Sequence, residues 1–253
     1  MLLETALTLL LLLAVFGPLE RLWPARQQPW VRPALGTDLL FYLGQAFLFG
    51  PLAALALTRV HGGITALSLQ GLHTAVRAQP LWLQAIEVVL LGDLCVYWFH
   101  RASHRFDLLW RFHKVHHTAT TLDWMAAHCE HPLDGLLTQL AMNGPAMLLG
   151  FQFKLLAPIA IFRGLWAIFI HSNAQLPLGP LRYLLGAPEL HHWHHARDPE
   201  RTANFANLAP WCDLLFGTFH LPPANQEMNW PLGVPGDVPK PWWRHLVDPL
   251  INR

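Results

Sequence analysis

Five stretches of the chain are apolar over nearly their whole length, and polar segments rich in Arg, Pro and Trp separate them. A helix needs about 20 mostly apolar residues to cross the hydrocarbon core of a membrane. The pattern therefore predicts four to five membrane spans, the last two short and joined by a tight turn. The predicted spans are Leu2–Leu19, Asp38–Leu57, Leu81–Phe99, Leu133–Phe151 and Leu155–Ile170.

The first apolar run has a competing interpretation as a secretory signal peptide. We favour a span, because no basic segment precedes the run and no small-residue cleavage site follows it. Arg21 and Trp23 instead follow it, as is typical of a helix leaving a membrane at headgroup level. With no repeat and no linker visible, we expect one all-α membrane domain over residues 1–253.

Composition supports this fold class. Only 13% of the 253 residues are charged, against about 25% in typical soluble proteins, and 53% are hydrophobic. The formal net charge is +1 and there are 3 Cys. These values exclude a disordered chain, a disulfide scaffold and a nucleic-acid binder that relies on net charge.

Charge placement predicts the orientation. If the end of the third span faces the cytoplasm, 13 of the 17 Lys and Arg residues lie inside and three lie outside. This is the bias that sets topology in membrane proteins. Arg also outnumbers Lys 14 to 3, which favours a bacterial inner membrane.

Histidine is unusually frequent and unevenly placed. Twelve of the 16 His residues lie between positions 100 and 195, in segments that the predicted topology brings to one membrane face. His100 and His104 continue a helical stripe that begins with Asp93 and Tyr97. A carboxylate inside a span is costly, so we expect Asp93 to orient a metal-ligating His; the alternative is an ion pair with a basic residue in the bundle.

Two further clusters share the pattern H-x-x-H-H, and helical spacing predicts that three imidazoles of each face one site while His192 points away. Eight imidazoles exceed the needs of one tetrahedral ion, so two metals are expected. Imidazole suits Zn, Cu, Fe and Ni alike, and no H-E-x-x-H protease motif is present. The eight are His100, His104, His113, His116, His117, His191, His194 and His195.

In their order and with their flanks, these boxes resemble the fatty acid hydroxylase superfamily, also called the sterol desaturase family. The resemblance covers about residues 85–222 and marks them as the catalytic region. It includes His131-Pro132-Leu133-Asp134, with Asp in place of the usual Glu, an isolated His171, Asn204-Phe205-Ala206 and Trp211-Cys212-Asp213.

The resemblance implies two iron ions that use O₂ to hydroxylate or desaturate a sterol, fatty acyl or related lipid, with zinc able to replace iron in purified protein. It adds His171 as a ninth ligand and implies no catalytic residue beyond the metal centre. Gln175 stands where some members have a further His. Asp93, Tyr97 and His131 are expected to support the ligands, and the roles of His128 and His192 stay open.

The implied chemistry needs electrons, and no haem-attachment or dinucleotide-binding motif is visible. We therefore expect a separate cytochrome b5-, ferredoxin- or reductase-like donor and a membrane lipid as partners, and no nucleic acid. Two alternatives stay open. One is a zinc-dependent membrane hydrolase, and the other is a metal transport or storage protein, which would place its ligands along the spans.

Overall fold

The structure is a computed structural model that describes residues 2–65, 69–197, 203–222, 228–236 and 240–251. Within these ranges the regular secondary structure is helical, apart from two isolated β-bridges. The α-helices are α1 (Leu2–Leu22), α2 (Leu35–Gly44), α3 (Gly50–Thr65), α4 (Gln70–Ala78), α5 (Leu81–Arg105), α6 (Asp107–His117), α7 (Pro132–Leu148), α8 (Phe153–His171), α9 (Pro188–His194), α10 (Trp211–Phe216) and α11 (Trp242–Ile251).

Among the described residues, four helical stretches are long and apolar enough to cross a membrane. They are Leu2–Leu22, Leu35–Ile64, Leu81–Arg105 and Phe153–His171. The second stretch runs from α2 into α3 through a π-helical turn at Gln45–Phe49. The prediction of an all-α bundle with four to five spans is confirmed.

The predicted fourth span, Leu133–Phe151, is not among these four. Its residues form α7, which has 17 residues and contains Pro145 and the polar side chains Asp134 and Asn143. Helix α7 lies along α5 and contributes Ala146 and Met147 to the core shared with α5 and α8. Its first turn contacts His113 through Asp134, while its last turn packs with the start of α8, so α7 runs the length of the bundle beside α5. With 17 residues it lies at the lower limit of a spanning helix, and its role as a further span stays a prediction.

A buried ion pair ties α5 to α8 in this core. Arg163 Nη1 donates to Asp93 Oδ1 at 2.7 Å, and its Nη2 donates to the Val89 carbonyl at 2.6 Å. Trp211 Nε1 donates to the other Asp93 oxygen at 3.2 Å. Gly92 makes room for this pair, since a Cβ there would lie 3.1 Å from the guanidinium. Asp93 therefore has the alternative role, an ion pair in the bundle, and no ligating His contacts its carboxylate.

The end of α1 is fixed to the end of α8. The Glu20 carboxylate accepts hydrogen bonds from the backbone N–H of Asn173 at 2.9 Å and of Trp124 at 2.7 Å. Pro24 and Ala174 form one of the two β-bridges beside this contact. One region of the bundle contains all the candidate ligand histidines. It is surrounded by helices α6 and α9 and by the ends of α1, α5 and α8.

Candidate metal centre

Nine histidines converge into two adjacent groups. Their candidate ligand nitrogens lie within 4.8 Å of one another inside each group. We call these the five-histidine group (His100, His104, His113, His117, His194) and the four-histidine group (His116, His171, His191, His195). The rings of His117 and His195 stack across the boundary with centroids 4.3 Å apart. The nine residues are the nine that the sequence analysis named.

The two H-x-x-H-H boxes are each divided between the groups, which corrects the expectation that each box serves one site. His113 and His117 enter the five-histidine group while His116 enters the other. In the box on α9, His191 and His195 belong to the four-histidine group and His194 belongs to the five-histidine group. At 100° per residue, positions i and i+4 lie 40° apart, while position i+3 lies 60° to the other side of i. The spacing therefore makes the imidazoles of one helix point in two directions, and α6 and α9 both lie between the two groups.

On α6, the outward nitrogens of two rings are held by acceptors from the segment that follows. His113 Nδ1 donates to Asp134 Oδ2 at 2.9 Å, and His116 Nδ1 donates to the Cys129 carbonyl at 3.0 Å. Since a carboxylate or carbonyl oxygen only accepts, each ring carries its proton on Nδ1. Each Nε2 therefore faces inward, towards the other histidines of its group.

A single loop supplies acceptors for two more rings. His100 Nδ1 donates to the Phe205 carbonyl at 2.7 Å, and His194 Nδ1 donates to the Ala203 carbonyl at 2.9 Å. Between these carbonyls lies Asn204, whose φ of 59° is left-handed. Its side chain donates to the carbonyls of Leu190 and His220. These bonds hold the loop in a conformation that few residues other than Gly, Asn and Asp adopt.

Asp213 stabilises the same loop through hydrogen bonds to its backbone. Its two carboxylate oxygens accept from the N–H groups of Phe205 at 2.9 Å and Ala206 at 2.8 Å. Thr218 Oγ1 donates to Asp213 at 2.7 Å, and Tyr97 OH lies 2.8 Å from that same hydroxyl. Tyr97 therefore supports the loop that orients His100, and it does not contact a histidine nitrogen.

The inward nitrogens of His116 and His171 provide a test of whether a metal fits. His171 Nδ1 donates to the Ala167 carbonyl at 2.6 Å, so both rings carry their proton on the outer nitrogen. Their Nε2 atoms nevertheless lie 2.9 Å apart. Two lone pairs facing each other repel, and a shared cation turns that repulsion into coordination. The arrangement therefore fits a metal ion.

Unpaired nitrogens in the five-histidine group also indicate that a metal ion fits there. The Nε2 atoms of His100, His104 and His194 are buried and have no hydrogen-bond partner. Buried polar atoms in proteins almost always have a partner, so three converging orphans indicate a missing ligand. Neutral imidazole is also the form that binds metals.

Burial keeps the imidazoles of His116, His117 and His195 neutral. It lowers the pKa of His116 to about 4. Burial and the neighbouring imidazoles hold the pKa of His117 and of His195 well below the usual value. At neutral pH these side chains therefore offer lone pairs to a cation without first losing a proton.

Three other singled-out histidines lie outside both groups. His131 caps α7, its Nδ1 accepting from Leu133 N at 3.1 Å. His128 Nδ1 lies 3.1 Å from the amide oxygen of Gln45. The fully buried His192 bonds through Nε2 to the carbonyls of His171 and Ser172, away from the ligands. All three therefore form hydrogen bonds with backbone or amide groups outside the two histidine groups.

The supporting roles of Asp134, Asn204 and Asp213 were not predicted from the sequence, although all three lie in the motifs that resemble the family. The usable signal for Asp134 was its position in the first turn of a helix that follows the His boxes. The Cys129, Ala203 and Phe205 acceptors are backbone carbonyls, which leave no mark in side-chain identity.

Comparison with known proteins gives consistent matches. Residues 85–218 match the sequence profile of the family described as fatty acid hydroxylase. Ornithine lipid hydroxylase OlsE of Rhizobium tropici is 32% identical over 177 residues, which is 68% of this chain and 53% of the relative. Methylsterol monooxygenase 1-1 of Arabidopsis thaliana is 32% identical over 138 residues, 53% and 46% of the two chains. Delta(7)-sterol 5(6)-desaturase ERG3A of Gibberella zeae is 28% identical over 134 residues, 53% and 37%.

The matched segment spans about half or less of the length of these relatives. Their names are those of oxidoreductases that act on lipids. No solved structure matches the chain.

Proposed function

The chain belongs to the fatty acid hydroxylase family, and from this premise we propose that it is a di-iron, O₂-dependent enzyme that hydroxylates or desaturates a C–H bond of a membrane lipid. Its catalytic region is residues 85–222 of a single membrane domain over residues 1–253. The nine histidines of the two groups are its metal ligands.

The observation that carries the proposal is the pair of adjacent all-imidazole groups with inward lone pairs. No carboxylate or thiolate belongs to either group among the described residues. Imidazole suits iron, and two neighbouring sites suit a pair of ions. Two iron ions bound there would supply the redox chemistry for activating O₂ and oxidising an unactivated C–H bond.

The protein positions the ligands and excludes water. Asp134 makes the His113 ring a stronger donor, because a carboxylate at Nδ1 raises the basicity of Nε2. Carbonyl acceptors fix the orientation of four further rings, those of His100, His116, His171 and His194. Most of the nine side chains are buried, so reactive species formed at the site would be shielded from bulk water.

We further propose that the site faces the cytoplasm of a bacterial inner membrane. The support is the distribution of basic residues, 13 on the side of the histidines against three. On that side a separate cytochrome b5-, ferredoxin- or reductase-like protein would deliver electrons. The lipid substrate would enter laterally from the bilayer.

The test combines metal analysis with isotope labelling. Purified protein should contain about two iron ions per chain, and membranes supplied with ¹⁸O₂ should yield one ¹⁸O-labelled or newly unsaturated lipid. His116→Ala should abolish that product, while His61→Ala, on α3 away from both groups, should not. The alternative of a zinc-dependent hydrolase predicts zinc without iron and turnover without O₂. Either result would refute the oxygenase proposal.

A further inference from the structure

A cavity of about 440 Å³ opens beside the five-histidine group at the end of α5. Its walls include His104, whose buried Nε2 has no partner, and Phe205, whose carbonyl orients His100. Volumes of this size are typical of small-molecule sites. The cavity therefore gives a ligand access to the edge of the candidate metal centre.

The cavity combines an aromatic lining with two guanidinium groups. Trp98, Phe106 and Phe205 supply the apolar surface, and Arg101 and Arg105 supply the charge. No carboxylate is among the lining residues in the part of the chain that the structure describes. The cavity is therefore suited to a molecule that is apolar over most of its length and anionic at one end.

Arg101 is held in place by an ordered chain of hydrogen bonds. Its Nη1 donates to the Tyr97 hydroxyl at 3.0 Å, and that hydroxyl lies 2.8 Å from Thr218 Oγ1, which donates to Asp213. Because the Asp213 carboxylate only accepts, each hydroxyl donates along the chain, and the Tyr97 oxygen is left to accept from Arg101. The other Arg101 nitrogens are not used by this bond and can bind an oxyanion.

The position at the end of a membrane helix supports a lipid as the occupant. Trp98 is 48% exposed and Phe106 is 59% exposed, at the end of the span formed by α5. The Arg101 guanidinium lies 5.3 Å from the Trp98 ring. An aromatic ring and a cation at a helix end are typical of the headgroup level of a bilayer.

We propose that Arg101 and Arg105 bind the oxyanion of a lipid headgroup while the attached chain enters the cavity against Trp98 and Phe106 and reaches His104. This inference rests on the proposed function, since it names the substrate class of the same site. The oxyanion is a phosphate or a carboxylate, and both arginines serve either one.

The experiment measures lipid binding without turnover. Full-length protein in phosphatidylcholine nanodiscs, without added reductant, is exposed to lipid probes that carry a diazirine in the acyl chain near the headgroup. The probes are phosphatidylglycerol, an N-acyl amino acid and phosphatidylcholine. Crosslinked residues are identified by peptide mass spectrometry after chymotryptic digestion.

We expect the anionic probes to label residues 98–106 more than phosphatidylcholine does. Arg105→Gln should reduce this labelling about fivefold, and Arg101→Gln with Arg105→Gln should reduce it to the phosphatidylcholine level. Replacing both with Lys should keep most of the labelling, which separates charge from folding. Arg244→Gln is the matched control, because Arg244 also lies 5.3 Å from a half-exposed ring, that of Trp243, but outside this cavity.

Equal labelling by anionic and zwitterionic probes would overturn the inference, as would full labelling of the Gln variants. Loss of electron transfer in Arg105→Gln with unchanged lipid labelling would also overturn it, in favour of a docking site for the electron donor. Preference for phosphatidylglycerol or for the acyl amino acid would each support it and would identify the oxyanion. Because labelling needs no turnover, its failure leaves the iron and ¹⁸O₂ results of the proposed function standing.

Discussion

The contact between Asp134 and His113 gives the sharpest test of the candidate metal centre. In Asp134→Asn, the amide oxygen can still accept from Nδ1, so the shape of the contact is kept and only the negative charge is lost. Both partners are buried, with side-chain exposures of 9% for His113 and 5% for Asp134 at a separation of 2.9 Å. Substituting such a supporting group typically lowers metal affinity 10–100-fold. With so little solvent screening we expect about 100-fold, or about 2.7 kcal/mol.

The assay is metal retention against graded chelator, measured as iron per chain. The wild type should lose its ions at similar chelator concentrations. Asp134→Asn should lose one ion at about 100-fold lower chelator and keep the other, because Asp134 contacts the five-histidine group alone. Asp134→Glu should retain most of the affinity. Asp107→Asn, at the exposed start of α6, is the control. An Asp134→Asn profile that matches the control, or equal weakening of both ions, would refute this account of the site.

Three further predictions concern the buried ion pair, the backbone at Asn204 and the buried imidazoles. Arg163→Met should destabilise the protein by about 3–5 kcal/mol by leaving the Asp93 carboxylate buried and unpaired, and adding Asp93→Asn should recover much of the loss in thermal unfolding. Asn204→Ala should lower stability more than Asn204→Gly, by about 1 kcal/mol, because only the Ala variant has a Cβ at a φ of 59°; equal losses would contradict this. Burial lowers the pKa of His116 and of His192 to about 4 from 6.5, so the unfolded chain binds more protons between these values. The stability that these two imidazoles contribute to metal-free protein should therefore be constant above pH 6.5 and fall as the pH drops towards 4. His192→Gln should make the unfolding temperature less dependent on pH in this window, and an unchanged profile would count against neutral buried imidazoles.

The helices and eight of the nine histidines could be predicted from sequence because both follow from local periodicity, whereas the isolated His171 was implied only by the family resemblance. A run of about 20 apolar residues and a His at every third or fourth position are statements about one helix at a time. The prediction of a span at Leu133–Phe151 stays a prediction, because α7 has 17 residues, which is the lower limit for a spanning helix. Helix α7 also packs closely along α5.

The division of each box between two groups could not be predicted in the same way. It depends on how α6 and α9 are placed between neighbouring helices, and residues distant in sequence decide that. The role of Asp93 shows the same limit. Its stripe with His100 is visible in the sequence, but its partner Arg163 is 70 positions away on α8, and only the packing of the two helices brings them together.

Helix α9 completes both groups, and this has a consequence for how the protein matures. His194 belongs to the five-histidine group, while His191 and His195 supply half of the other. These residues follow α8, the last membrane-crossing helix of the described chain. During translation, a chain that has inserted its spans but lacks α9 offers four imidazoles for one ion and two for the other. If the two groups bind metal ions as proposed, loading would therefore be completed late in biogenesis, after membrane insertion and after the final histidine segment has left the ribosome.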